Sequence, residues 1–328
     1  MCYRGRGVES DSWSFRDQVV GVQVSKDSVR IFEVGARDGL QNEDVMLSVD
    51  QKVEMIHRLV DAGIRDIEIG SFVHPDWVPQ LADTAEVAAR IDRRPDVRYW
   101  ALVPNRKGLE RALEADISHI ATFMSASETH NKKNVNRTIG ESLRCLEDAY
   151  EIALEEDCTI RAYVSTVFGC PYEGEVDFDR VLDIGGKLLD FGADMISLGD
   201  TIGAGTPLQV RRECARAVEE LGRERVALHL HDTQGLALTN AFVAFELGMR
   251  TFDCSVGGTG GCPYAPGAAG NVGSEDLLHM FDAMGLDTGI DLEAVLATSR
   301  WIDESTDIEI SSRYYDYCTA SEAESACA

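Results

Sequence analysis

Eight times along this chain a short run rich in β-branched and apolar residues is followed by a longer run with helical spacing, and that alternation restricts the fold more than any other feature. The β-rich runs fall at residues 29–34, 64–69, 98–102, 119–123, 159–164, 195–198, 226–230 and 251–256. The amphipathic runs fall at 52–62, 81–91, 106–115, 139–156, 178–191, 208–221, 238–247 and 274–284. In the first of these, Val53, Ile56, Leu59 and Val60 recur at the spacing that puts them on one helical face. A long polar stretch, 124–138, reads as a loop. Strand–helix units repeated in this way need a parallel sheet covered by helices, and eight of them suit closure into an α/β fold, the (β/α)8 TIM barrel with short terminal helices. An open doubly wound sheet also satisfies the alternation. No G-x-G-x-x-G follows the first β-rich run, however, which disfavours its dinucleotide-binding form.

The catalytic barrel is assigned to residues 26–290, followed by C-terminal helices and a tail over 291–328. Residues 1–25 are polar and aperiodic and are expected to form a poorly ordered extension, as is the tail beyond about Tyr317. Charge narrows the partners. Thirty-one Lys and Arg face 57 Asp and Glu, a formal net charge of −26. Such a field argues against nucleic acid or an anionic membrane as a partner. The scarcity of lysine beside so many acids also fits a salty cytoplasm. An anionic substrate would have to find local cations. The nine cysteines include no C-x-x-C, and a chain of 328 residues has no need of disulfide staples, so reduced thiols and a cytoplasmic location are expected. No apolar stretch approaches the roughly 20 residues of a membrane span.

In parallel barrels the chemistry sits at the C-terminal ends of the strands. Polar residues gather there in six of the eight runs. The first ends in Glu33-Val34-Gly35-Ala36-Arg37-Asp38-Gly39-Leu40-Gln41-Asn42-Glu43. The second carries Glu68 and Ser71, and the fifth carries Arg161, Tyr163, Ser165 and Thr166. The sixth ends in Ser197-Leu198-Gly199-Asp200-Thr201, the seventh in His229-Leu230-His231-Asp232-Thr233. The eighth runs into Gly257-Gly258-Thr259-Gly260-Gly261-Cys262-Pro263-Tyr264. His229 and His231, two apart on a strand, point to the same face. On their own such a pair is more often two ordinary polar residues than a site. Asp38 at the end of the first strand and Asn271 after the last would complete a ligand set of two imidazoles and two oxygens. Such a set suits Mg²⁺ or Mn²⁺ better than zinc. Arg37 is a candidate for stabilising an oxyanion, with Glu68 and Asp200 orienting it or a histidine. Cys262 stands in a glycine-rich segment where a thiol could transfer a proton.

At these residues the chain resembles the 3-hydroxy-3-methylglutaryl-CoA lyases, members of a wider superfamily of metal-dependent lyase and Claisen-condensing barrels. The resemblance rests on the segments 33–43, 197–203 and 229–235, and most specifically on Gly260-Gly261-Cys262-Pro263-Tyr264-Ala265 with Gly270-Asn271. It runs from about residue 28 to 290. It implies metal ligands Asp38, His229, His231 and Asn271, with Arg37 stabilising the enolate and Glu68 and Asp200 supporting the site. It also implies proton transfer by Cys262 and His229, with the cysteine segment acting as a lid. Substrate contacts are expected from Arg37, Gln41, Ser71, Arg161, Tyr163 and Thr201. The implied reaction is cleavage of hydroxymethylglutaryl-CoA, an acyl-CoA, to acetyl-CoA and acetoacetate, and the implied assembly is a homodimer.

The chain departs from the family's usual pattern at Ala36, where proline is common, and at Asp44, where lysine is common. It departs again at Asp307-Ile308-Glu309, where an Asn-Arg-Lys stretch often contacts CoA, and at Gln234. Acidic groups repel phosphates, so a different CoA contact and a different 3-hydroxy acid remain alternatives. So does a condensing enzyme of the same superfamily, weakened by the cysteine segment. A barrel that only binds metal and acyl-CoA is another. A metal-dependent hydrolase is a last alternative, but those barrels usually place H-x-H on the first strand.

Overall fold

The computed structural model describes residues 28–261 and 269–326. Eight parallel strands form a closed barrel in sequence order: β1 Arg30–Glu33, β2 Asp66–Ser71, β3 Arg98–Leu102, β4 His119–Ser125, β5 Thr159–Ser165, β6 Met195–Asp200, β7 Val226–Leu230 and β8 Thr251–Cys254. Closure is the pairing of β1 with β8, Glu33 opposite Cys254. Every residue of β2, β6, β7 and β8 is buried, the polar Asp66, Glu68, Asp200, His229 and Asp253 included, because helices cover the outer face and side chains fill the interior.

The helices that return the chain are α1 Val49–Asp61, α2 Thr84–Arg90, α3 Arg106–Glu114, α4 Glu128–Val135, α5 Ile139–Glu155, α6 Phe178–Phe191, α7 Pro207–Ala217, α8 Ala237–Glu246 and α9 Ser274–Ala283. Two more, α10 Leu292–Ser305 and α11 Arg313–Ala326, follow the barrel. Between strands and helices lies one continuous apolar layer, for example Met55, Ile56 and Leu59 of α1 against Ile67 and Ile69 of β2. Inside the barrel the filling differs. Phe32, Val34 and Trp100 form a small apolar plug. Around it run buried charges: Asp66 with Arg30, Arg98 and the indole N–H of Trp100 (3.0 Å), and higher up Arg161, Glu68 and Asp253.

Two expectations need correction. The stretch 124–138 is not a loop throughout, because α4 occupies its middle. The tail beyond Tyr317 is helical to Ala326 rather than unordered. The expected extension over residues 1–25 lies outside the described residues, as do Cys262 and most of the segment expected to act as a lid. No helix of the described residues is long and apolar enough to cross a membrane.

Candidate active site and metal centre

Asp38 reaches the barrel mouth because β1 does not simply end. After Glu33 the chain makes a π-helical turn, Gly35–Gly39, in which the N–H groups of Arg37, Asp38 and Gly39 all donate to the carbonyl of Val34 (3.0, 2.7 and 3.2 Å). This bulged turn swings two successive side chains, Arg37 and Asp38, toward the barrel axis. Gly39 has to lack a side chain, since a Cβ there would stand 2.4 Å from Thr259 Oγ1 and 2.7 Å from Ser255 Oγ. On the far side of the closure, His229 belongs to β7 and His231 follows it. His231 is held by a bridge to Asn271, in the segment after β8. One donor atom each from Asp38, His229 and His231 lies within 4.8 Å of the other two.

The electrostatics favour a cation at this point. His229 Nδ1 hydrogen-bonds Asp253 Oδ2 (3.1 Å), while its Nε2 lies 3.8 Å from Asp38 Oδ2. A carboxylate behind an imidazole fixes its tautomer and turns the other nitrogen's lone pair outward. Burial, reinforced by neighbouring His229, lowers His231 to about 4, so the imidazole stays neutral and able to donate. Its Nδ1 is buried with no hydrogen-bond partner among the described residues. Burial alone would raise Asp38, but Arg37 and the two imidazoles hold its carboxyl well below the usual range. The neutral His231 imidazole, a second imidazole oriented by Asp253 and a carboxylate held ionised fit a hard divalent cation. Asn271 stands against the same group, its Nδ2 donating to Asp38 Oδ2 (3.0 Å) and to the carbonyl of Thr259 (3.1 Å). To ligate through Oδ1 the amide would have to turn over.

Arg37 is clamped between Asp38 and Glu68, which accepts from its Nε. The other oxygen of Glu68 accepts from the Tyr163 hydroxyl (2.6 Å). Tyr163 in turn accepts from Arg161 Nη1 (2.7 Å), and Arg161 Nη2 reaches Ser197 Oγ (3.0 Å) and Asp253. A chain of alternating charges and hydroxyls therefore runs beneath the mouth from Arg37 to His229. Above it opens a cleft of about 860 Å³, with Arg37, Asp38, His229 and His231 among its walls.

The expected substrate contacts divide. Arg37, Gln41, Tyr163 and Thr201 line the cleft. Arg161 does not, being wholly buried below it. Ser71 is buried too, and its Oγ accepts from the N–H of Val73 (3.1 Å), bracing the turn after β2. Asp200, expected beside Arg37 or a histidine, stands close enough to His229 to feel its charge, while its carboxylate accepts from the N–H groups of Ala204 (2.9 Å) and Gly205 (3.0 Å) and shapes the turn after β6. Burial raises it to about 6. Asp253 is the residue that sequence reasoning missed. The available signal was a carboxylate in the middle of an otherwise buried strand, matched by an arginine in the middle of β5.

Comparison with known proteins places this geometry in context. Residues 28–302 match the family described as HMGL-like. The chain is 47% identical over 285 residues to a hydroxymethylglutaryl-CoA lyase of Bacillus subtilis, covering 87% of this chain and 95% of that protein. It is 46% identical over 268 residues to a 3-hydroxy-3-isohexenylglutaryl-CoA/hydroxymethylglutaryl-CoA lyase of Pseudomonas aeruginosa, covering 82% of this chain and 89% of that protein. Among solved structures, an HMG-CoA lyase of Acinetobacter baumannii in complex with coenzyme A and 3-methylmalate superposes with a TM-score of 0.81 at 40% identity, over 84% of this chain and 90% of that one.

Proposed function

The chain belongs to the HMGL-like family, and from that premise we infer that it is a carbon–carbon lyase cleaving 3-hydroxy-3-methylglutaryl-CoA to acetyl-CoA and acetoacetate. The observation that carries this reading is the convergence of Asp38, His229 and His231 beside Arg37 at the floor of the cleft.

Asp38, His229 and His231 are the residues to hold a divalent cation, Mg²⁺ or Mn²⁺, with Asn271 as a fourth donor. When bound, that ion supplies Lewis acidity that lowers the pKa of the substrate's tertiary hydroxyl. The rest falls to this chain's side chains. A base takes the hydroxyl proton, the bond between C2 and C3 breaks with its electron pair going to C2, and the thioester leaves as an enolate. Arg37, held in place by Glu68, stabilises that charge through a guanidinium that never deprotonates. The enolate carbon then takes a proton. His229 and Cys262 are assigned the two proton transfers, and the cysteine segment the exclusion of water. Asp200 supports the site through the turn after β6.

The cleft also favours a second reading. Val73, Leu102, Phe123 and Val135 give it an apolar wall, which suits a 3-hydroxyacyl-CoA with a longer branch at C3 as a further substrate. Release of acetyl-CoA from a panel of such thioesters, with Mg²⁺ or Mn²⁺ added, separates the two. Absence of release from every member would defeat both. His231→Ala should weaken Mn²⁺ binding by at least roughly tenfold, read by electron paramagnetic resonance. Unchanged affinity would remove His231 from the ligand set.

We further assign the enzyme to the cytoplasm. Among the described residues Cys145, Cys158, Cys170, Cys214 and Cys254 form no disulfide, which accords with a reducing compartment. A homodimer is proposed, to be tested by sedimentation equilibrium.

A further inference from the structure

The cleft walls carry opposite charge. Among the described residues that line it, the fixed cations are Arg37 and Arg137. Arg37 is held by Asp38 and Glu68 at the reacting end of the cleft, where it is assigned to the enolate. Arg137 follows α4, is half-buried, and makes no ion pair with any described residue, although the chain carries an excess of 26 negative charges that offers partners almost everywhere. Its backbone carbonyl accepts from the buried Asn131 amide (2.9 Å), so its place on the wall is set without its side chain. Lys132 and Lys133, both exposed, stand on the same helix. Across the ring of strands, the rim formed by the connection after β1 and the segment after α10 is acidic. Glu43 accepts from the N–H of Gly260 (3.0 Å) and sits close enough to Asp44 and Glu309 to feel both charges. Asp44, Asp307 and Glu309 are exposed. In a closed eight-strand ring the connection after β4 lies opposite the β8–β1 seam, so these two charge regions face each other over the mouth.

We propose that Arg137, backed by Lys132 and Lys133, is the docking point for the phosphate groups of the coenzyme-A thioester. The nucleotide end would then lie over α4 rather than over the β1 rim. The assignment rests on the acyl-CoA reading of the substrate. A polyanion entering this mouth is repelled by Glu43, Asp44, Asp307 and Glu309 and meets one lining cation whose charge is unspent. Guanidinium is also the side-chain group best matched to phosphate oxygens. Arg137 contacts no reacting atom in this arrangement, so it acts on binding and leaves the chemical step alone.

The test compares hydroxymethylglutaryl-CoA with the same acyl group on pantetheine, which lacks the phosphates and the nucleotide. In Arg137→Glu the KM for the CoA ester should rise roughly tenfold or more, about the loss of one charge-assisted contact, with kcat unchanged. The KM for the pantetheine ester should stay within about twofold. Arg137→Lys should keep most of the affinity, and Lys132→Glu/Lys133→Glu should shift KM in the same direction with a smaller effect. Equal rises for both esters, or no rise for either, would overturn the assignment. Calorimetric binding of free coenzyme A against free pantetheine decides it independently of turnover. Arg137→Glu must weaken the first and spare the second, and if it does not, the proposal is wrong. Failure of the parent to cleave either ester would instead count against the substrate reading, with the binding arm still deciding Arg137.

Discussion

Asp253 takes His229 on one oxygen and Arg161 on the other, which makes it the hinge between the metal ligands and the buried charge chain below them. Its role is positioning: it holds the imidazole so that Nε2 faces Asp38. Asp253→Asn keeps the shape but loses the charge, and metal affinity should fall about 10- to 100-fold, the usual effect of removing such an outer partner. Calorimetry with Mn²⁺ reads this directly, and undiminished affinity would show that the tautomer is set by something else. Arg161 illustrates what single residues conceal. An arginine in a strand that ends at the site reads as a substrate contact, yet here it is wholly buried and spent on Asp253, Ser197 and Tyr163. Nothing in its local sequence distinguishes an arginine that points up into a cleft from one that lies beneath its floor.

At the scale of elements, the strands and long helices were legible and α4 was not. β3, β7 and α6 lie at the expected boundaries because each has a clear apolar pattern between turn signals. α4 has no apolar stripe, and only His130 and Asn131 are buried in it. It stands on hydrogen bonds instead. Ser127 caps its N-terminus (3.1 Å to His130 N), and Asn136 closes it in the left-handed conformation (φ 53°). Asn131 accepts from Ser125 N (3.0 Å) and donates to Ser142 Oγ (2.8 Å) and to the Arg137 carbonyl. Asn131→Ala should therefore cost about 1–3 kcal/mol through groups left unsatisfied in the interior. It should also loosen the wall that carries Arg137. Chemical denaturation measures the first effect, and proteolytic cutting within 126–138 the second. A fully stable, uncut variant would mean that α4 is held by contacts other than these.

The whole molecule depends on the seam where β8 meets β1, and that seam is built on buried carboxyls. Glu33 accepts from the N–H groups of Gly35 (2.7 Å) and Val256 (3.0 Å) and from Ser274 Oγ (2.5 Å). Glu275 accepts from Gly257 N (2.9 Å) and from Ser299. Burial pushes each up to about 7. The folded protein therefore binds more protons than the unfolded chain between about pH 4.5 and 7, and these groups make stability fall as pH rises through that window. Glu33→Gln removes one of them. Relative to the parent, its unfolding free energy should rise by about 1–3 kcal/mol from pH 5 to pH 8. Taking the difference cancels the other titrating groups, and a difference flat in pH would mean that Glu33 is charged throughout.

Period and residue type along the chain determined the number of strand–helix units, their order, and the face on which His229 and His231 lie, because these follow from local sterics and the burial of apolar side chains. Closure put Asp38 beside those histidines, since β1 and β8 are neighbours only when the ring is complete. Tertiary packing alone decided which charges are spent on one another. Arg161, Asp253 and Asp200 turn inward or to the backbone, while Arg137 on the cleft wall makes no ion pair with any described residue. That outcome depends on distances between residues far apart in the chain, which no local pattern encodes.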